Sequence, residues 1–255
     1  QVVDRLSGRV CLVTGASRGI GAAIATSLAD AGGTIAVHYG RRKEAAESVL
    51  AGLAGEGHFT LGADLADPAS AADCIDRVVK LAGRLDILVN NAGIFEAHPP
   101  ATTGRDEWLA RWQETLAVNL VAPAVLCHAA AASMVEQGGG RIINIGSRGA
   151  FRGEPECPAY GASKAGLHAM SQSLAVALAP QNIHVFAVAP GFVETDMAAD
   201  LLDSERGDAI RQQSPLNRVA KPEEVGDIVA YLATTEATYL TGGIVDLNGA
   251  SYLRS

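Results

Sequence analysis

Short apolar runs alternate along the chain with longer segments in which apolar residues recur at helical spacing. The seven runs read RVCLVTG, TIAVHY, HFTLGADL, LDILVNNAG, RIINIGS, IHVFAVAPG and GGIVDLNG. The segments between them, such as IGAAIATSLADAG and ASAADCIDRVVKLAG, are predicted to be helices. Strands that alternate with helices form parallel sheets, and strands that are apolar throughout are buried on both faces. The pattern therefore predicts an α/β fold with a doubly wound, parallel seven-stranded sheet and helices on both faces.

The same pattern predicts how the chain is divided. No linker, internal repeat or low-complexity segment interrupts the alternation, so residues 1–255 are predicted to form one domain. The stretch DEWLARWQETLAVNLVAPAVLCHAAAASMVEQ is predicted to be one long helical segment. Residues at about 192–217 mix apolar and charged positions, which is typical of a short amphipathic helix in a mobile lid over a substrate pocket.

Composition and charge exclude several classes of function. Of the 255 residues, 48% are hydrophobic and 19% are charged, so a large buried core is expected and disorder is not. The net charge of -8 argues against a nucleic-acid partner. No apolar run is expected to span a bilayer, and the first residues lack the layout of a signal peptide.

The four cysteines are Cys11, Cys74, Cys127 and Cys157. Their spacing fits neither a zinc site nor a CxxC redox pair, so no metal is expected. Free thiols are typical of a reducing compartment, and we predict a cytoplasmic protein without a membrane partner. The partner that remains to be identified is a small molecule.

A glycine-rich loop, TGASRGIG from Thr14 to Gly21, follows the first strand and opens the first helix. A loop in this position is suited to binding the phosphates of a dinucleotide. Gly15 permits the tight turn, Gly19 lets the backbone approach a pyrophosphate, and Gly21 lets the helix pack on the strand. The N-terminus of the helix then presents free N–H groups to the phosphates. Together with the alternating pattern, the loop predicts a Rossmann-type domain that binds a dinucleotide.

The end of the second strand indicates which dinucleotide to expect. An acidic residue there would bond the 2′-hydroxyl of the adenosine ribose, but the strand ends IAVHYGRRK, without Asp or Glu. Arg41 and Arg42 follow Tyr39, and Arg18 lies in the glycine loop. Guanidinium groups suit a 2′-phosphate, so we predict NADPH or NADP+ rather than NADH. The other interpretation is that these arginines are only solvated.

Two further strand ends are predicted to border the cofactor, because ligands of such sheets bind at the carboxyl ends of the strands. Asp64 ends the third strand in GADL, where it can bond the adenine amino group. NNAG ends the fourth strand, and the small residues Ala92 and Gly93 would let the backbone lie against the cofactor.

Tyr160 and Lys164, in YGASK, are four residues apart in a predicted helix and so share one of its faces. An ammonium beside a phenol favours the phenolate, so the pKa of Tyr160 is expected to fall below its usual value of about 10. Such a phenol can protonate a carbonyl oxygen, or act as the base in the reverse step. Ser147 ends a neighbouring strand and can donate to the same oxygen. Asn119, on the long helical segment, can hold a water that feeds protons to the lysine.

The motifs TGASRGIG, NNAG, YGASK and PGFVETDM, with Asn119 and Ser147 between them, occur in the order and spacing of the short-chain dehydrogenase/reductase family. The chain resembles this family over nearly its whole length, and within it looks most like 3-oxoacyl-acyl-carrier-protein reductases. The resemblance implies hydride transfer between nicotinamide C4 and a carbonyl or alcohol carbon. It implies that Tyr160 is the acid or base, that Lys164 also holds the nicotinamide ribose, that Ser147 orients the carbonyl and that Asn119 completes the relay. It also implies a homotetramer.

The residue arguments and the resemblance together define a predicted site. Its catalytic residues are Asn119, Ser147, Tyr160 and Lys164. Its cofactor-binding residues are Gly15, Ser17, Arg18, Gly19, Ile20, Gly21, Tyr39, Arg41, Arg42, Asp64, Leu65, Asn91, Ala92, Gly93, Tyr160, Lys164, Pro190, Gly191, Val193 and Thr195. The last four of these are expected to border the nicotinamide.

The substrate is predicted only by class. An acyl carrier protein is acidic, yet the segments MVEQGGG and LAPQN, which flank the catalytic strand and helix, carry no Lys or Arg. The stretch EAHPPATTGRDEWLAR before Asn119 is also a few residues longer than is usual in the family. Arg148 and Arg152, between Ser147 and Tyr160, are instead predicted to hold a substrate carboxylate or phosphate. The other interpretation of these two arginines is a solvated loop.

The leading hypothesis is an NADPH-dependent ketoreductase that acts on a small or medium carbonyl compound. A 3-oxoacyl-acyl-carrier-protein reductase of fatty acid synthesis and a sugar or polyol dehydrogenase are alternatives of the same class. A dinucleotide-binding scaffold without chemistry ranks below them, because Tyr160 and Lys164 are both present.

Overall fold

The computed structural model of the protein describes residues 5–195, 198–199, 202–234, 236 and 238–254. At its centre is one seven-stranded sheet in which all neighbouring strands are parallel. The strands are β1 Val10–Val13, β2 Thr34–Tyr39, β3 Phe59–Gly62, β4 Ile87–Asn90, β5 Gly140–Ile145, β6 Ile183–Pro190 and β7 Ile244–Leu247. Their order across the sheet is β3-β2-β1-β4-β5-β6-β7. The predicted doubly wound parallel sheet is confirmed.

Helices cover both faces of the sheet. They are α1 Gly19–Asp30, α2 Lys43–Ala51, α3 Pro68–Ala82, α4 Arg105–Leu116, α5 Ala122–Glu136, α6 Gly149–Arg152, α7 Pro158–Leu178, α8 Gly207–Arg211 and α9 Pro222–Thr234. Residues of α1, α2 and α9 form one hydrophobic core with the sheet, and residues of α3, α5 and α7 form the other. Along β1, Cys11 and Val13 belong to the first core and Val10 and Leu12 to the second. All four are buried, as a strand covered on both faces requires.

The order of the strands reverses beside β1, which pairs with β2 on one side and with β4 on the other. The connections therefore diverge there and leave a crevice at the carboxyl ends of these strands. Thr14, directly after β1, joins the two sides of the crevice. Its hydroxyl oxygen accepts hydrogen bonds from the N–H groups of Asn91 at 2.9 Å and Ala92 at 3.0 Å. The crevice is thus held in a defined shape at the point where a ligand is expected.

The long helical segment is continuous, because α4 and α5 are joined by a π-helical turn at Ala117–Val121. By length and composition alone, the whole segment Arg105–Glu136 is long and apolar enough to cross a membrane. A core helix passes the same test, and Leu126 and Met134 of this segment are buried in the second core. Its apolar composition is explained by packing on the sheet.

The predicted lid at about 192–217 lies partly outside the described residues, which leave out 196–197 and 200–201. The described part contains the short helix α8, whose Ile210 is buried. Hydrogen bonds join the two ends of the segment. The N–H of Glu194 donates to the carbonyl of Ala220 at 2.8 Å, and the N–H of Ala220 donates to the carbonyl of Phe192 at 2.9 Å. The segment therefore leaves and rejoins the fold at one place, as a lid would.

Candidate active site

A cleft of about 550 Å³ runs along the carboxyl edge of the sheet, from the loop after β2 to the start of α7. Most of the predicted site lines it: Gly15, Ser17, Arg18, Gly19, Ile20, Gly21, Arg41, Arg42, Asp64, Leu65, Asn91, Ala92, Gly93, Ser147, Tyr160, Lys164, Pro190, Gly191 and Thr195. The fold thus brings residues as far apart in sequence as Gly15 and Thr195 into one cavity.

Two predicted cofactor residues lie outside the lining of this cleft. The ring of Tyr39 packs on β3, so closely that a Cβ at Gly62 would lie 2.9 Å from its hydroxyl oxygen. Val193 is buried in the first core, where it pairs with Ala220 at the base of the lid segment. The geometry therefore gives no support to cofactor contacts by the side chains of Tyr39 and Val193.

Two glycines of the glycine loop have no room for a side chain. A Cβ at Gly15 would lie 2.9 Å from the Cα of Ala92, and a Cβ at Gly21 would lie 2.3 Å from the carbonyl oxygen of Gly15. Gly15 also has a φ of 62°, which glycine adopts at little cost. The loop can therefore lie against the end of β4 and leave the first turn of α1 facing the cleft. This cradle, with the unpaired N–H groups of a helix N-terminus, fits the pyrophosphate of a dinucleotide.

His38, on β2, holds the glycine loop in place and was missed by the sequence analysis. Its Nδ1 accepts from the N–H of Gly15 at 3.0 Å, so its Nε2 carries the proton and donates to the carbonyl of Ala63 at 3.1 Å. The carbonyl of His38 accepts from the N–H of Ala16 at 2.8 Å. Burial lowers the pKa of His38 to about 4, which keeps the ring neutral at pH 7. The only signal in the sequence is a histidine within an apolar strand.

Three arginines form the end of the cleft nearest β2. Arg18 comes from the glycine loop, and Arg41 and Arg42 precede α2 and are exposed. None of the three forms an ion pair with another residue that the structure describes. Asp64 lies on the same stretch of the cleft, where its carboxylate accepts from the N–H of Ala66 at 3.0 Å. Positive charge thus prevails at this end, which suits a phosphate dianion.

The opposite end of the cleft holds Ser147, after β5, and Tyr160 and Lys164, on α7. Ser147 Oγ accepts from the N–H of Gly149 at 2.9 Å, which leaves its own O–H free to donate to the phenol oxygen of Tyr160. Lys164 Nζ lies 5.7 Å from the centroid of the Tyr160 ring and donates to the carbonyl of Ile145 at 2.8 Å. The two hydroxyl groups therefore meet where a carbonyl oxygen could accept from both.

The pKa values at this end are governed by burial. Burial raises the pKa of Tyr160 to about 12, although the hydroxyl of Ser147, as a hydrogen-bond donor, acts in the opposite direction. Burial likewise lowers the pKa of Lys164 to about 8. The expectation that the pKa of Tyr160 falls below its usual value is therefore wrong, because the loss of solvation is the largest influence on it. At neutral pH the phenol is protonated, which is the form that can give a proton to a carbonyl oxygen.

Comparison with known proteins agrees with this geometry. A family model described as enoyl-(acyl carrier protein) reductase matches residues 15–249. The 3-oxoacyl-[acyl-carrier-protein] reductase of Aquifex aeolicus is 38% identical over 97% of this chain and 99% of its own length. The chain belongs to the short-chain dehydrogenase/reductase family. The predicted family membership is thereby confirmed, and with it the prediction of an oxidoreductase.

Two further similarities concern cofactor and substrate. D-threitol dehydrogenase of Mycolicibacterium smegmatis is 36% identical over 96% of this chain and 93% of its own. A short-chain dehydrogenase of Burkholderia cenocepacia, solved in complex with NADP, has a TM-score of 0.87 and 38% identity. That similarity covers 97% of this chain and 99% of the other.

In this member of the family, Asn119 lies behind the cleft rather than on it. It is fully buried in the π-helical turn, a feature that often marks functional sites. Its Oδ1 accepts from the N–H of Ile94 at 2.8 Å, and its Nδ2 donates to the carbonyl of Ile94 at 2.9 Å and to Ser163 Oγ at 3.2 Å. Its side chain therefore holds the wall of the cleft in place, and the predicted role in holding a water gains no support from it.

The two arginines after Ser147 turn away from the cleft. Arg148 is only 4% exposed, and its guanidinium donates to Gln213 Oε1 at 2.9 Å and to Ser251 Oγ. Arg152 donates to the same oxygen of Gln213, also at 2.9 Å. Both thus tie the turn after Ser147 to the lid segment. This arrangement gives no support to the prediction that they hold a substrate anion, because their guanidinium groups already donate to Gln213 and, for Arg148, to Ser251.

Proposed function

We propose that the chain is an NADPH-dependent ketoreductase, which reduces a carbonyl compound to a secondary alcohol and can catalyse the reverse reaction. The observation that carries this proposal is the pair of hydroxyl groups of Ser147 and Tyr160 in the cleft that also contains the glycine loop. A hydroxyl donor and a protonated phenol that converge on one point are suited to a carbonyl oxygen.

The chain's own residues bind the carbonyl oxygen of the substrate and transfer a proton to it. Ser147 donates a hydrogen bond to the carbonyl oxygen, and Tyr160 transfers its phenolic proton to that oxygen as negative charge develops there. The ammonium of Lys164, on the same face of α7, stabilises the phenolate that remains. When bound, the nicotinamide supplies the hydride to the carbonyl carbon, so that hydride and proton together give the alcohol. In the reverse direction the phenolate accepts the proton of the alcohol.

The proposed cofactor is NADPH or NADP+. Arg18, Arg41 and Arg42 offer three guanidinium groups without ion pairs to described residues, which suits a 2′-phosphate. The solved relative from Burkholderia cenocepacia, at 38% identity, is in complex with NADP. Both observations favour NADPH over NADH.

The proposed substrates are 3-oxoacyl thioesters first and sugars or polyols second. The names of the relatives from Aquifex aeolicus and Mycolicibacterium smegmatis support one each. The cleft is also lined by the apolar residues Ile94, Phe95 and Val118, of which Phe95 contacts the ring of Tyr160, and such a lining suits an acyl or alkyl chain better than a polyol. We therefore rank the thioester above the polyol as substrate. We also propose that the chain forms a single domain, in which the segment at about 192–217 is a lid over the substrate pocket.

We also propose a homotetramer in the cytoplasm. Leu109, Val121 and Val135 on the long helical segment and Val176 on α7 are large apolar side chains exposed to solvent, which a subunit interface would cover. The prediction is a mass in solution of about four times 26.2 kDa, and a monomer mass would contradict it. The four buried free thiols agree with a reducing compartment.

The test is the consumption of reduced nicotinamide, followed by absorbance, with an acetoacetyl thioester as the carbonyl substrate. We expect turnover with NADPH that exceeds turnover with NADH and is lost in Tyr160→Phe. A crotonyl thioester, which offers a carbon–carbon double bond instead of a ketone, is the matched substrate for the enoyl reduction named in the family model.

Reduction of the crotonyl but not the acetoacetyl thioester would contradict the proposed function. Turnover of free ketones or polyols alone would agree with the proposed ketoreductase chemistry. It would contradict the thioester as substrate and favour the sugars or polyols. Binding of NADPH without turnover of any of these compounds would favour the non-catalytic scaffold.

A further inference from the structure

The segment after β4 carries a buried histidine, His98, that the proposed chemistry does not use. His98 is 1% exposed, and its ring and backbone take part in three hydrogen bonds. Its Nε2 accepts from the N–H of Ala159 at 3.1 Å, and its Nδ1 lies 2.8 Å from the carbonyl of Glu96. The backbone N–H of His98 donates to the carbonyl of Glu156 at 2.8 Å. Since a backbone N–H can only donate, Nε2 must be the acceptor, and the proton of the neutral ring is on Nδ1.

These bonds complete the first turn of α7, the helix that carries Tyr160. Cys157 stands at the N-cap position but makes no side-chain capping bond, and Pro158 has no N–H to satisfy. The N–H of Tyr160 is satisfied by the carbonyl of Cys157 at 3.0 Å. The N–H of Ala159 would remain unpaired without the ring of His98. A side chain distant in sequence therefore takes the place of the local cap.

The same segment also contacts the ring of Tyr160. Phe95 meets it edge to face, with 4.8 Å between the ring centroids and 88° between the planes. Trp108 of α4 packs against His98 in a similar way, at 5.4 Å. Tyr160 is thus held at its ring by Phe95 and, through the adjacent peptide, at its backbone by His98. The hydroxyl that meets Ser147 is placed by both contacts.

We propose that His98 is a positioning residue for the reaction, one that sets the start of α7 and thereby the contact between the phenol of Tyr160 and Ser147. This inference rests on the proposed function, because it assigns His98 a role in the proton transfer by Tyr160. His98 acts through the N–H of Ala159 and makes no contact with the substrate position.

Two substitutions distinguish the effect of the hydrogen bond to Ala159 from the other effects of the His98 side chain. The amide oxygen of His98→Gln lies near the place of Nε2 and can still accept from Ala159, whereas the shorter His98→Asn reaches only the place of Nδ1. His128→Asn, at an exposed position on α5, is the control for the same chemical change elsewhere. Each variant is assayed for kcat, for the Kd of NADPH and for amide hydrogen exchange in residues 157–163.

We expect exchange at the start of α7 to be about tenfold faster in His98→Asn, which is the equilibrium effect of losing one helix cap. We expect kcat to fall about tenfold or more in the same variant, with the Kd of NADPH within about twofold of wild type. His98→Gln should restore both values to within about threefold. In alcohol oxidation, the pH at which activity appears should rise in His98→Asn, since the Ser147 hydroxyl lowers the pKa of Tyr160 and a displaced phenol would lose that effect.

Faster exchange in His98→Asn with unchanged kcat would overturn the proposal, because the cap would then be structural only. An equal loss of kcat in both His98 variants would also overturn it. If the wild type reduces no carbonyl compound, the proposed function has failed, and exchange alone then decides whether His98 positions Tyr160. Unchanged exchange in His98→Asn would then refute the capping of Ala159 by His98. Faster exchange in His98→Asn that returns toward the wild-type rate in His98→Gln would support it.

Discussion

The two ends of the cleft are built from charges in opposite surroundings. At the end nearest β2, Arg41 and Arg42 are exposed and have no ion pair among the described residues. At the other end, Lys164 is buried and donates to the carbonyl of Ile145, and Tyr160 is partly exposed but loses enough solvation to raise its pKa. One end keeps its charges solvated and without ion pairs to described residues, and the other holds its titratable groups where packing removes much of the solvent.

This difference separates two tasks. An exposed guanidinium attracts a phosphate without a fixed geometry, but water and salt weaken the attraction. A buried group has its pKa moved by the loss of solvation, as the raised pKa of Tyr160 and the lowered pKa of Lys164 show. The arginine end is therefore suited to choosing a cofactor, and the buried end to transferring a proton. Changes at the buried end should alter rate, and changes at the arginine end should alter affinity.

The largest effect is expected from Lys164→Met. The phenolate left by proton transfer would lose the ammonium beside it, so kcat should fall by about 100-fold or more, within the range of general acid–base catalysis. Rapid-reaction measurement of a single turnover with NADPH isolates the chemical step. Lys43→Met, at an exposed position that pairs with Glu47, is the control. A loss of less than about fivefold would show that burial of Lys164 has no catalytic purpose.

Next in size is the paired substitution Arg41→Ser and Arg42→Ser. Loss of charge-assisted hydrogen bonds to a 2′-phosphate should raise the Kd of NADPH by about 10- to 100-fold and leave that of NADH within about threefold. Fluorescence titration of both cofactors measures this. Lys80→Ser, an exposed position on α3, controls for the loss of surface charge. Equal weakening of both cofactors would contradict a specific role for these arginines.

Acid should destabilise the fold through two histidines with lowered pKa values, His38 and His168. Burial lowers the pKa of both His38 and His168 to about 4, against about 6.5 in an unfolded chain. The unfolded state therefore binds more protons below pH 6.5, so stability should fall as the pH decreases from 6.5 to 4. Each histidine contributes a slope of up to about 1.4 kcal/mol per pH unit.

Urea unfolding at pH 7, 6 and 5 measures that slope. His168 is the better position to change, because its ring stacks on Phe151 and neither of its nitrogens has a hydrogen-bond partner among the described residues. In His168→Phe the dependence on pH should be shallower than in the wild type. An unchanged slope would mean that other groups, such as His184, whose pKa burial also lowers, govern the acid response.

The smallest effect is expected from Arg152→Ala. Its guanidinium shares Gln213 Oε1 with Arg148, so the link to the lid segment survives its removal. The value of kcat/KM should stay within about twofold of wild type for both neutral and anionic carbonyl substrates. A loss of tenfold or more that is confined to anionic substrates would restore the prediction that Arg152 binds a substrate carboxylate or phosphate.

Local pattern was enough for the fold and for most of the cleft. Each strand is an apolar run bounded by polar or glycine residues, and the glycine loop joins β1 to α1 within a few positions, so both can be recognised from neighbouring residues. Contacts between distant segments could not be predicted in this way. His38 and His98 bond to Gly15 and Ala159, 23 and 61 residues away, and neither lies in a motif. The arginines after Ser147 were assigned to substrate because the position of Gln213 was unknown.

By itself, the sequence determined the parallel sheet, the dinucleotide loop, the absence of an acidic residue after β2, and the spacing that puts Tyr160 and Lys164 on one helix face. Those properties follow from periodicity and residue type. Only the tertiary structure decided the protonation of Tyr160, the partners of Arg148 and Arg152, and the cap that His98 places on α7. Burial and hydrogen bonding depend on which segments meet, and a pKa depends on the solvent that those meetings exclude.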